Sequence, residues 1–64
     1  MKTKVELIFK DGRIATFRNV IFFSKGDTIY WIDYVCEDEI GTVSYNIEDV
    51  KYFDVEVYHS MQEH

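Results

Sequence analysis

Residues 4–23 read Lys4-Val5-Glu6-Leu7-Ile8-Phe9-Lys10-Asp11-Gly12-Arg13-Ile14-Ala15-Thr16-Phe17-Arg18-Asn19-Val20-Ile21-Phe22-Phe23. Val5, Leu7 and Phe9 fall on alternate positions, the period of a strand with one buried face. Asp11-Gly12 follows, a pair that tolerates positive φ and so marks a hairpin. A two-residue turn there would set Val5 against Arg18 and Glu6 against Phe17. A three-residue loop, Lys10 to Gly12 with a glycine bulge, instead pairs Val5 with Phe17, Leu7 with Ala15 and Glu6 with Thr16, and puts Lys4 beside Arg18. Slipping by one residue turns every side chain to the other face, so the three-residue loop is expected.

The second strand runs on from Arg13 to about Phe23. Its alternation breaks at Asn19, after which four apolar residues follow in succession. That change of phase predicts a bend or bulge at Arg18-Asn19, with one long strand serving both halves of a curled sheet. Working outward, Ser24 to Asp27 reads as a turn and Thr28 to Cys36 as a third, central strand with apolar residues on both faces. The core is assigned to the face of Ile29, Trp31 and Val35, which leaves Tyr30 and Tyr34 opposite it. Glu37-Asp38-Glu39 with Gly41 reads as an acidic loop, and Thr42 to Asn46 as a short fourth strand. Ile47 to Val50 suits one turn of 3-10 helix capped by Asn46. Lys51 to Tyr58 is the fifth strand, with Phe53, Val55 and Val57 inward and Tyr52, Asp54, Glu56 and Tyr58 outward. Residues 1–58 form one domain, and 59–64 are expected to be a flexible tail.

Composition agrees with this rhythm. Valine and isoleucine supply 14 of the 64 residues and aromatics 11, against one leucine and one alanine. β-Branched and aromatic side chains suit a pleated sheet, so a helical bundle is excluded and an all-β fold is expected. A chain this short has a small core, for which self-association into a dimer or larger homo-oligomer would compensate. A single cysteine, Cys36, excludes an internal disulfide and a multi-cysteine zinc site. No apolar run exceeds four residues, too short for a membrane span. Met1-Lys2-Thr3-Lys4 leads into a strand in place of a signal-peptide core, and a cytoplasmic location is expected.

The stretch from Val5 to Arg13, with Phe17-Arg18-Asn19-Val20, resembles the opening hairpin of small SH3-like and Sm-like β-barrel proteins of Gram-positive bacteria and their phages. Tyr45 to Phe53 resembles their closing turn and strand. The resemblance implies a single five-stranded antiparallel barrel or strongly curled sheet, with a 3-10 turn before the last strand. An open sheet that dimerises is the alternative. The Asp and Asn between the second and third strands that mark Sm RNA binding, and the late Arg-Gly, have no counterpart here, so RNA binding is not implied.

Net charge is −5, unevenly spread. Six of the seven cations lie in residues 1–25 with two acids, whereas residues 26–64 set ten acids against Lys51. Opposed patches on one small domain are the expected result. Tyr30, Asp33, Tyr34, Glu37, Asp38, Glu39, Tyr52, Asp54 and Glu56 form the candidate partner-binding set, an acidic and tyrosine-rich surface for a basic protein. A phage-type inhibitor or regulator of a nucleic-acid-handling host protein would carry such a surface. The alternative is a nucleic-acid-binding module built on Lys2, Lys4 and Arg18. No catalytic residue, cofactor or metal is assigned. Cys36 lacks a base with an orienting partner and reads as a small buried hydrophobe, and His59, Glu63 and His64 have no fixed ligand spacing.

Overall fold

A computed structural model describes residues 2–58. Six strands alternate with short turns: β1 (Lys2–Phe9), β2 (Ile14–Phe17), β3 (Val20–Lys25), β4 (Ile29–Cys36), β5 (Glu39–Asn46) and β6 (Val50–Tyr58), with a 3-10 turn over Ile47–Asp49. They form two antiparallel three-stranded sheets. Sheet A has the order β2-β1-β6 and sheet B the order β3-β4-β5. The expected tail and its histidines, residues 59–64, lie outside the described residues.

The opening hairpin has the expected register, Val5 with Phe17, Glu6 with Thr16 and Leu7 with Ala15. Its three-residue loop closes with the Gly12 N–H donating to the Phe9 carbonyl at 3.0 Å and the Phe9 N–H donating to the Arg13 carbonyl at 2.9 Å. Gly12 has φ +97°, a left-handed conformation that a Cβ would strain, which is why glycine closes the loop. Asp11 ties the far side: Oδ1 accepts the Arg13 N–H at 3.0 Å and Oδ2 accepts the Arg13 Nε–H at 2.7 Å. The Arg13 backbone N–H, followed by its guanidinium, holds the Asp11 carboxyl below its ordinary value.

The bend at Asn19 is larger than a bulge. Asn19 has φ +57°, a left-handed conformation that asparagine tolerates, and there the expected long strand divides in two. β2 pairs in sheet A and β3 in sheet B, so the count is six strands where five were expected. The Asn19 carbonyl still accepts the Val35 N–H at 3.1 Å, anchoring the corner to β4. Ile21 is the extra residue of a bulge just beyond it, between the Val20–Tyr34 and Phe22–Asp33 pairs.

The acidic loop is also smaller than expected. Glu37-Asp38 alone makes the turn, and β5 begins at Glu39, paired with Cys36. Gly41 therefore lies within a strand, opposite Tyr34. The 3-10 turn stands where it was expected, but the Asn46 side chain makes no capping hydrogen bond; at the other end of the turn the Val50 N–H donates to the Ile47 carbonyl.

The core lies between the sheets. Val5, Leu7 and Phe9 from β1 meet Val20, Tyr30 and Ile32 from sheet B, with Val50 at one end. Rings join the layers: Phe9 and Phe17 pack on Tyr45 with centroids 5.3 and 6.2 Å apart, Phe17 lies 5.5 Å from Tyr34, and Phe53 lies 5.6 Å from Tyr30. The assignment of faces on β4 is the reverse of that expected. Tyr30 and Ile32 are in the core, Tyr30 with 4% of its surface exposed, and Trp31 points away with 41% exposed. Period two reports that two faces differ without saying which is inside, and on β4 both are apolar. The ring of Tyr30 stacks on Phe23 and meets Phe53 edge-on, with centroids 6.0 and 5.6 Å away. Cys36, expected to be buried, is exposed at the end of β4.

Candidate interaction surfaces

The outer face of sheet B is built by three cross-strand rows. Ser24, Trp31 and Ser44 form one row, and Phe22, Asp33 and Thr42 the next. Val35 and Ile40 pair in the third, beside the Glu37-Asp38 turn. Phe22 and Ile40 are 51% and 67% exposed, and with Trp31 they leave a broad apolar surface around one carboxylate. Asp33 is oriented by both neighbours: the Trp31 Nε1–H donates to Oδ1 at 3.0 Å and the Thr42 hydroxyl donates to the same oxygen at 2.8 Å. Aspartate is a poor strand residue, and its two donors fix the side chain on the sheet surface.

Sheet A presents a different outer face. Glu6 lies between Thr16 and Asp54, and Lys4 opposite Glu56. The Thr16 hydroxyl donates to Glu6 at 3.2 Å, and Lys4 Nζ meets Glu56 at 3.1 Å. Ile14, Ile8 and Tyr52 form an apolar row at the hairpin end. On the inner side of β6, Phe53, Val55 and Val57 share a face with Leu7, Val5 and Thr3; Phe53 packs on Phe23 and Tyr30 of sheet B, yet all three remain substantially exposed.

The expected partner-binding set is therefore dispersed. Tyr30 is core, and Tyr34 is half-buried against Phe17. Asp33 lies on the outer face of sheet B, with Glu37, Asp38 and Glu39 at its end, while Tyr52, Asp54 and Glu56 lie on the outer face of sheet A. Trp31, Phe22 and Ile40 are surface residues that the sequence pattern did not single out. For Trp31 the signal is the apolar character of both β4 faces, which a two-layer fold cannot bury on both sides.

Charge divides by sheet. Residues 20–49, which hold sheet B, carry one lysine against seven carboxylates. β6 brings Asp54 and Glu56 back beside β1, so the basic N-terminal segment is partly neutralised within sheet A. Of the three cations in the alternative reading, Lys4 is engaged by Glu56. Lys2 and Arg18 each border an open depression at the Asn19 corner, of about 360 and 630 Å³ respectively. Among the described residues no three His, Cys, Asp or Glu side chains gather to hold a metal, and no helix is long and apolar enough to cross a membrane. Comparison with protein-family models, curated proteins and solved structures finds no match.

Proposed function

We propose that the protein is a non-catalytic interaction module whose sheet B engages a basic protein partner. One observation carries this reading: the outer face of sheet B exposes Phe22, Trp31 and Ile40 around Asp33, on a segment with seven carboxylates and one lysine. Exposed aromatics supply contact area at low entropic cost, and the surrounding negative charge steers a cationic partner and rejects anionic ones. A nucleic-acid-handling protein presents a cationic surface of the kind this face would engage, so a regulator of such a protein fits the reading. The corner at Asn19 that carries the chain from sheet A to sheet B, and the 3-10 turn before β6, support an SH3-like arrangement of the two sheets.

Retention on immobilised polylysine and on a single-stranded oligonucleotide, at low and high salt, tests the reading. The wild-type chain should bind polylysine at low salt and pass the oligonucleotide. Glu37→Gln, Asp38→Asn and Glu39→Gln together should weaken retention far more than neutralising Glu6, Asp54 and Glu56, which removes the same charge from sheet A. Equal losses would reduce the effect to net charge and refute the proposal. Retention on the oligonucleotide would favour the module built on Lys2 and Arg18. A structural homo-oligomer is the second reading, supported by the open edges of β5 and β6 and by the uncovered strip of Phe53, Val55 and Val57.

A further inference from the structure

We infer that Trp31 and Asp33 form a subsite for an arginine side chain of the basic partner, an inference that rests on the proposed role of sheet B. Trp31 is flanked across the sheet by Ser24 and Ser44, side chains too short to cover an indole. Its ring leans along β4 so that Nε1 reaches Asp33 Oδ1, and the residue keeps 41% of its surface exposed. Thr42 donates to the same oxygen. Among the described residues Oδ2 receives no hydrogen bond and Asp33 has no cationic partner. Phe22, opposite Asp33 on β3, has half its surface open.

The result is an oriented carboxylate with one unused oxygen, beside two accessible aromatic residues. A guanidinium fits this arrangement better than an ammonium. Its plane stacks on an aromatic face while its edge N–H groups donate to a carboxylate, and it sheds hydration more readily than lysine. The sheet's excess of carboxylates over lysine supplies the long-range attraction, and the Trp31–Asp33 pair supplies the discrimination. Other carboxylates of the segment lack this setting: Glu37, Asp38 and Glu39 are at the hairpin tip, with no hydrogen bond among the described residues to orient them.

The chain contains a single tryptophan, so its fluorescence and its indole N–H resonance report on the subsite directly. The full chain is titrated at low salt with a short peptide alternating arginine with glycine and leucine, and with its lysine twin. The arginine peptide should perturb both Trp31 signals and bind about tenfold more tightly than the lysine twin. Asp33→Asn keeps an acceptor for Trp31 and Thr42 but removes the charge. It should lower affinity for the arginine peptide about tenfold, with little change for the lysine twin or in the thermal midpoint. Equal affinity for the two peptides, or binding that leaves Trp31 unperturbed, would overturn the subsite and leave the wider role of the sheet standing. Binding of neither peptide would overturn both. A Trp31 signal that changes with protein concentration alone would assign the face to a second copy and overturn the arginine assignment.

Discussion

Gly41 faces Tyr34 across the β4–β5 ladder, and a Cβ placed on it would come within 2.6 Å of the tyrosine Cζ. The glycine is therefore a packing residue: its missing side chain is the space in which the ring lies, with the far side of that ring against Phe17. Gly41→Ala should displace Tyr34 and destabilise the protein by about 1–3 kcal/mol, the usual cost of overfilling a packed site. Urea unfolding checks this, and an unchanged midpoint would show that the ring moves aside freely. Nothing in the sequence around Gly41 distinguishes a strand glycine from a turn glycine, because the reason for it sits seven residues away in the chain. Tyr30 and Trp31 teach the same lesson. Their alternation was legible, but the choice of the inner residue needed Phe23 and Phe53, which arrive from other strands.

At the scale of elements, the two tight turns contrast. Lys10 to Gly12 was readable in full because hydrophobic register and glycine chemistry agree on one loop length. The β4–β5 turn lacks that agreement: Glu37 and Asp38 have φ of +53° and +66° without the asparagine or glycine that a two-residue turn of this kind favours. Left-handed backbone at non-glycine residues costs of order 1 kcal/mol each. Glu37→Asn with Asp38→Gly should therefore raise stability by about 1–2 kcal/mol. A rise in thermal midpoint checks this; a fall would mean that the acidic pair contributes more to the fold than its backbone costs. Missing turn chemistry is also why β5 was expected to start at Thr42 and not Glu39.

For the whole molecule, the arrangement of two small sheets leaves β2, β3, β5 and β6 as edge strands, and β6 keeps Phe53, Val55 and Val57 open. Asp54 and Glu56 on β6 oppose close self-pairing of that strand, since like charges would meet across a symmetric ladder. If a homo-oligomer forms through the apolar strip, light scattering should give a defined multimer that persists in high salt, and Val55→Lys should return it to monomer. A monomer at all concentrations would leave these edges protected by their charges alone. The gradient of charge along the chain becomes a difference between sheets, softened in sheet A where β6 returns beside β1 and sharpened in sheet B.

Sequence alone determined the all-β class, the first hairpin and its register, the break at Asn19 and the 3-10 turn, because each depends on residues close together in the chain. Tertiary structure decided which face of β4 is buried, that the bent strand divides between two sheets, and which acidic residues share a surface. Those outcomes depend on which distant strand covers which face, and a pattern of period two is the same whichever face is covered.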